Sequence, residues 1–279
     1  MVAHDAARRA AIGLAGSVAI AWVAARHGAL TKGGALAAVA AGTTTCAAGG
    51  VGAGSSLIAF FVSSSAWSRV GRARKSSLAT IWEKGDRRDA WQVIANGGVA
   101  CVCLAASARR EGTAFRAGAA AALAVAAADT WATELGSLSR APARLITSGA
   151  VVPRGTSGAI TIPGCLAALA GAVFTAAWFW LCEGQGRARL RAVLSTGLCG
   201  LAGSLLDSLL GATLQARYRC PTCLVATERR LHSCGTATIL VGGVPWFRND
   251  VVNLVSTAAG AMLGMALAAA VGAPRRRSP

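Results

Sequence analysis

Two aspartates stand where charge is costly. In the run Ala128-Asp129-Thr130-Trp131-Ala132-Thr133-Glu134-Leu135-Gly136, Asp129 and Glu134 sit near the end of a long alanine-rich stretch. In Gly203-Ser204-Leu205-Leu206-Asp207-Ser208-Leu209-Leu210-Gly211-Ala212-Thr213-Leu214-Gln215, the residues Ser204, Asp207, Ser208, Gly211 and Gln215 recur at helical spacing and form one polar stripe. The leucines between them occupy the other faces, so the stripe points into a helix bundle. An ionised Asp in hydrocarbon costs at least about 2.5 kcal/mol, so it needs a cation, a hydrogen-bond network or a watery cavity. A satisfied interhelical polar pair is the simpler alternative. A third run, Asn249-Asp250-Val251-Val252-Asn253 continuing to Ser256 and Thr257, repeats the pattern; Asn249 is placed to cap a helix, and Asn253, one turn deeper, is the site candidate. Carboxylates gathered in this way suit a divalent cation, and a cation beside phosphate suits phosphoryl transfer.

Glycine-rich backbone accompanies them at Lys32-Gly33-Gly34, Gly42-Thr43, Gly49-Gly50-Val51-Gly52-Ala53-Gly54 and Gly155-Thr156-Ser157-Gly158. Exposed amides cradle phosphate oxygens, but close helix packing accounts equally well for Gly50 to Gly54; Gly155 to Gly158, beside the carboxylate segment, is the better phosphate-binding candidate. Lys32, Arg69, Lys75 and Arg88 border the same face, with topology anchoring as their default role. No His falls in an apolar segment, which argues against an imidazole base. A hydrophilic stretch contains Cys220-Pro221-Thr222-Cys223 and His232-Ser233-Cys234, four soft ligands that suit a structural zinc, against unligated thiols in a reducing compartment.

The elements that must position these residues are membrane helices. The chain has 279 residues, is 54% hydrophobic and only 14% charged, and its Ala/Leu/Val/Gly runs lack the period-two alternation of a barrel. In lipid each segment must satisfy its own backbone, which leaves helices. Apolar segments near 10–25, 34–48, 50–66, 91–108, 114–136, 158–182, 192–214 and 250–272 give an all-α bundle of about eight helices; the second and third, short and glycine-rich, are candidates for half-helices or a re-entrant pair. The chain reads as a single integral membrane domain, 1–279, with the hydrophilic insert 216–248 as its appendage. The first segment has the proportions of a signal peptide, though retention as a helix fits better. The net charge of +17 sits between apolar runs rather than on one basic face, so it argues for topology and not for nucleic acid. Most cations, including Lys84 in the stretch Ser68 to Asp89, fall after odd-numbered segments, which places those loops on the cytoplasmic or stromal side; Arg275 to Arg277 act as a flanking anchor. Asp129, Asp207, Asn253, Asn96 and Ser63 to Ser65 then lie in the halves of their helices nearest that side. Cys46, Cys101, Cys103, Cys165, Cys182 and Cys199 lie in apolar runs as small hydrophobes and imply no disulfide framework.

Taken in order, Ala128 to Gly136, Gly155 to Ile160, Gly203 to Gln215 and Asn249 to Ser256, with Gly33-Gly34, Phe60-Phe61, Ser63 to Ser65 and Gln92-Val93 through Asn96-Gly97-Gly98, resemble the transmembrane protein 19 family. Its plant and cyanobacterial members include the phytyl-phosphate kinase of the vitamin E (tocopherol) pathway. Ala159 departs from the pattern, where a further glycine is usual. The resemblance implies a multi-pass membrane protein of chloroplast, endomembrane, thylakoid or plasma membrane. It also implies a kinase that uses a nucleoside triphosphate, CTP, to convert an isoprenyl phosphate such as phytyl phosphate to the diphosphate. On that expectation Asp129 and Asp207 hold Mg²⁺, and Glu134 and Asn253 act with them. Asn96, Gly155, Thr156, Ser157, Gly158, Ser204, Ser208, Gln215 and Asp250 are the candidates to bind substrate or phosphate; the Cys/His insert resembles only some members, so Cys220, Cys223, His232 and Cys234 stand as a candidate structural zinc set on their own spacing. A transporter or lipid-phosphate carrier is the alternative, because carboxylates and broken glycine helices also serve ion coupling.

Overall fold

The structure, a computed structural model, describes residues 2–75, 87–110, 113–183 and 185–271; Lys84 and Arg275 to Arg277 lie outside them. The described helices are α1 (Val2–Arg26), α2 (Lys32–Arg69), α3 (Arg72–Lys75), α4 (Ala90–Arg110), α5 (Thr113–Gly136), α6 (Ile162–Trp180), α7 (Gly186–Thr213) and α8 (Asn249–Val271). Six of them (α1, α2, α4, α6, α7 and α8) are long and apolar enough to cross a membrane. The protein is an integral, multi-pass helical membrane protein.

Helix α2 has 38 residues and would span about 57 Å if straight, far beyond a hydrocarbon core of about 30 Å. It breaks at Gly50, whose φ of 74° and ψ of −163° lie outside the helical region and favour glycine. The break reverses the chain: a Cβ built on Gly54 would lie 2.8 Å from Cys46 Sγ, although eight residues of straight helix separate groups by about 12 Å. Arms 32–49 and 51–69 therefore fold back on one another, each of nearly spanning length. The expected second and third segments are thus an antiparallel hairpin with a one-residue turn, closer to the paired alternative than to separate half-helices.

Helix α5 lies at the centre. Its alanines from Ala119 to Ala128 are buried, and the glycines of its neighbours press against it: Gly200 of α7 on Ala124, Gly264 of α8 on Ala117 and Ala121, and Gly171 of α6 on Trp131. Small residues bring helix backbones close, which drives association where lipid supplies no hydrophobic force between helices. Enclosed by protein, α5 can carry Arg116, Asp129 and Glu134 and need not meet the apolarity of a lipid-facing span. Buried polar groups tie the bundle further: Ser56 Oγ donates to Thr175 O at 2.9 Å, Thr257 Oγ1 to Ala95 O at 3.0 Å, and Trp180 Nε1 to Thr196 Oγ1 at 3.0 Å.

Two small antiparallel sheets stand on the loops. One, of order β2-β1-β3, is made of Ala143–Leu145 (β1), Val151–Val152 (β2) and Ala159–Ile160 (β3), between α5 and α6. The other, of order β5-β4-β6, is made of Arg217–Arg219 (β4), Ala226–Thr227 (β5) and Ile239–Gly242 (β6), in the insert between α7 and α8.

At the end of the bundle where α5 starts, Arg116 pairs with Glu183 and donates to Gly49 O at 3.1 Å. The guanidinium thereby satisfies a carbonyl next to the break at Gly50, where the helix cannot. Glu183→Gln should lower unfolding stability by about 3 kcal/mol, since removing one partner strands a poorly hydrated charge; a change below 1 kcal/mol in detergent denaturation would show that the pair is dispensable.

Candidate functional site

At the opposite end of the bundle a cavity of about 300 Å³ opens among the last turns of α5 and α7, the first turns of α4, α6 and α8, and the loop 153–158. Chain direction alternates around it, so three helix N-termini meet there. Each is finished by a polar side chain. Asp89 and Gln92 form a reciprocal box at the start of α4, Gln92 N donating to Asp89 Oδ1 at 2.9 Å and Asp89 N to Gln92 Oε1 at 3.0 Å. Thr161 Oγ1 accepts from Gly164 N at 3.0 Å at the start of α6, and Asn249 begins α8. Gln92, Thr161 and Asn249 all line the cavity. Orphan amides and the positive ends of three helix dipoles make this an environment for anions.

The carboxylates enter from the other two helices. Asp129 and Asp207 both line the cavity, as do Asn96, Asn253, Ser208, Gln215 and the whole of Gly155, Thr156, Ser157 and Gly158. Asp207 is 9% exposed, the Ser256 hydroxyl faces its carboxylate, and its Oδ2 has no hydrogen-bond partner among the described residues. A buried acceptor left unpaired is costly unless a cation completes it. Glu134 also reaches the cavity, but its oxygens are engaged: Ser68 Oγ donates to Oε1 and Lys75 Nζ to Oε2, each at 2.5 Å. The ion pair ties α3 to α5, and Lys75, 6% exposed, is a partner of Glu134 rather than a surface anchor.

Ser204 and Asp250 do not line the cavity. Ser204 lies one turn deeper than Asp207, 4% exposed beneath the floor. Asp250 is one residue, about 100° of helix, away from Asn249, which takes the lining position. Ser63 is used elsewhere, accepting from Trp131 Nε1 at 3.3 Å. Lys32 and Arg69 are not lining residues, whereas Arg88 is.

Loop 153–158 seats directly on α7. Gly158 has φ of 77°, and a Cβ there would strike the α7 backbone at Ser208 and Ala212, so its glycine is fixed by both torsion and space. Ser157 Oγ and Gln215 Nε2 both donate to Glu228 Oε1, at 2.7 and 2.8 Å, joining loop, α7 and insert at the cavity rim. Gly158→Ala should lower unfolding stability by at least about 1–2 kcal/mol, the cost of a positive φ for an L-residue. An unchanged midpoint in detergent denaturation would show that the loop need not be seated.

Arg88 stands at a junction. Its guanidinium lies 5.8 and 5.5 Å from the rings of Phe60 and Phe61, and its backbone is held by Thr31 N to Arg88 O and Arg88 N to Ala29 O, both 3.0 Å. Burial lowers its pKa to about 10 against the raising pull of Glu134, so it remains a cation at neutral pH. Arg88, Gln92 and Asn96 line not only the polar cavity but also an apolar groove of about 90 Å³ between α1, α2 and α4, walled by residues such as Leu30, Leu57, Phe61 and Gly97.

Two charged lining residues escaped the sequence reasoning, Arg154 and Glu228. Arg154 immediately precedes the glycine loop, a signal that was available. Glu228 lies in the insert without helical period, and only the fold brings it over the bundle. The four soft ligands Cys220, Cys223, His232 and Cys234 do come together, their ligand atoms within 4.8 Å of one another.

The sequence profile of the family described as integral membrane protein DUF92 matches residues 15–261. The chain is 32% identical to Protein PGR of Arabidopsis thaliana over 225 residues, 73% of this chain and 77% of that protein. It is 26% identical to Protein VTE6, chloroplastic, of the same plant over 242 residues, 85% of this chain and 64% of that protein. An uncharacterized membrane protein of Synechocystis is 26% identical over 216 residues, 76% of this chain and 72% of its own. No solved structure matches the chain.

Proposed function

We propose, from the premise that the chain belongs to the integral membrane protein family DUF92, that it is a membrane-embedded isoprenyl-phosphate kinase. In this reading it transfers the γ-phosphate of a nucleoside triphosphate, CTP by the family resemblance, to phytyl phosphate or a similar prenyl monophosphate. The observation that carries the reading is the meeting of a polar, carboxylate-bearing cavity and an apolar groove at Arg88, Gln92 and Asn96. An amphiphile with a phosphate head and a hydrocarbon tail matches that surface, and the tail accounts for placing the site within a membrane bundle.

The residues fit Mg²⁺: the unpaired, buried Asp207 Oδ2 is a hard oxygen ligand, and Asp129 opens into the same cavity. Bound there, Mg²⁺ would neutralise charge on the transferring phosphate. Arg88 and Arg154, with the amide-rich starts of α4, α6 and α8, would hold the two phosphate groups against each other in line. An oxygen of the prenyl monophosphate attacks the γ-phosphorus, the bond to the nucleoside diphosphate breaks, and that diphosphate leaves with the electron pair. No thiol or imidazole lines the cavity among the described residues, in keeping with direct transfer. Transport is less well supported, because the broken helix is interrupted at Gly50, at the far end of the bundle from the carboxylates.

The test is to incubate the detergent-purified protein with Mg²⁺, CTP or ATP, and phytyl, geranylgeranyl or farnesyl monophosphate. The prenyl diphosphate should appear in a Mg²⁺-dependent manner. No diphosphate from any combination would overturn the kinase reading.

A further inference from the structure

The geometry points to a structural zinc ion in the insert, held by the thiolates of Cys220, Cys223 and Cys234 and by the imidazole of His232. Two tight turns present the ligands to each other. In the first, Leu224 N donates to Cys220 O at 2.9 Å and Cys223 N to Cys220 Sγ at 3.4 Å; in the second, His232 N donates to Thr236 O and Gly235 N to His232 O, both at 2.9 Å. Each turn is closed by a residue of positive φ, Leu224 at 57° and Gly235 at 84°. Leu224 is the only non-glycine residue in that region among the described residues, a strain that some local gain has to offset.

The distances suit one ion. With Zn–S of about 2.3 Å and Zn–N of about 2.0 Å, a tetrahedral site separates sulfurs by about 3.8 Å and sulfur from nitrogen by about 3.5 Å. Cys220 Sγ lies 3.6 Å from Cys234 Sγ, and His232 Nδ1 lies 3.1 Å from Cys234 Sγ. Cys220 is fully buried and His232 is 7% exposed, with Nε2 unpaired among the described residues. Three sulfurs and one nitrogen form a closed soft set that leaves no open position for substrate, so the ion's role is structural. Each thiol gives up its proton to solvent on binding.

The insert needs such a staple. Its strands are two to four residues long, and of its large apolar side chains only Tyr218 and Phe247 are buried while Leu224, Leu231, Ile239 and Trp246 are 60–65% exposed, too little for a core of its own. The ion would fix the β4–β5 turn, and with it Glu228, which receives Ser157 and Gln215 at the cavity rim.

Elemental analysis of the full chain, purified in detergent under reducing conditions, tests this. About one zinc per chain is expected, falling below about one tenth in Cys220→Ser and in the exposed-ligand variant Cys223→Ser, and remaining at one in Cys182→Ser. Thiol alkylation followed by mass spectrometry gives a second reading that does not depend on how the variants fold. In the unaltered protein Cys220, Cys223 and Cys234 should be protected until chelator is added, while exposed Cys182 reacts throughout. Wild-type protein that neither contains zinc nor takes it up after reduction, zinc content unchanged by the substitutions, or a Cys220–Cys234 disulfide in freshly isolated protein would each overturn the proposal. Metal content is read without turnover, so failure of the kinase reading leaves this inference standing.

Discussion

Asp207→Asn should reduce diphosphate formation by at least about 10³-fold while leaving the bundle folded, since positioning and charge neutralisation supply nearly all of the catalysis in phosphoryl transfer. The amide has the shape of the carboxylate but not its charge, so it keeps the helix contacts of α7 and would lose the proposed cation. Asp129→Asn should show the same loss, and the double variant should be little worse than either single one, because residues that act as a unit are strongly non-additive. Stability should move the other way. Asp207 Oδ2 is buried with no hydrogen-bond partner among the described residues, so neutralising it removes a desolvation cost and the melting temperature should hold or rise. Ser204→Ala, beneath the cavity floor, provides the control, with activity within a few fold. Normal turnover in both aspartate variants would remove their metal-holding role, whatever reaction the protein performs.

The aspartates were legible in the sequence because a membrane makes charge costly: in a chain with 11 acidic residues, a carboxylate inside an apolar run has few innocent explanations. The stripe on α7 was legible for the same reason, down to Gln215. The limits of helical periodicity show at single residues. It marked the run from Asn249 as polar but could not choose between its first two residues, and the fold presents Asn249 where Asp250 was the expected phosphate partner, because the absolute rotation of α8 depends on its neighbours and not on its own pattern. It ran the Ser204 stripe one turn past the cavity floor, since periodicity gives a face and not a depth. Gly50 was read among close-packed glycines, and nothing local distinguishes a packing glycine from one whose torsion reverses a chain. Arg88 looked like one anchor among many in a basic loop. Its role at the junction comes from α1, α2 and α4 converging around it, a tertiary fact. Hydropathy counted 114–136 as one more membrane segment and gave no sign that α5 is the centre of the bundle. Yet its modest apolarity follows from that enclosure, since a helix that meets little lipid can afford the charges that a site requires.

Gly97→Leu tests the apolar groove, and a loss graded by chain length is expected. Gly97 is buried in the groove wall, and a Cβ built on it would meet no atom within 4 Å, so a larger side chain projects into the groove without disturbing α4. Overfilling an apolar site costs about 1–3 kcal/mol, which predicts a rise in KM for phytyl phosphate of roughly five- to 150-fold. The nucleotide KM should be unchanged, because in the proposed reaction the triphosphate would sit in the polar cavity beyond Arg88. A prenyl monophosphate of a single isoprene unit should be far less affected than phytyl phosphate, its tail being too short to need the whole groove. Gly16→Leu on α1 is the matched control: it also has open space around its Cβ, but it is not a groove residue and should leave both substrates alone. Equal losses for short and long chains would mean that the leucine disturbs Asn96 and Gln92 beside it rather than the tail. The hydrocarbon would then have to leave the polar cavity by another route, directly between the helices into lipid.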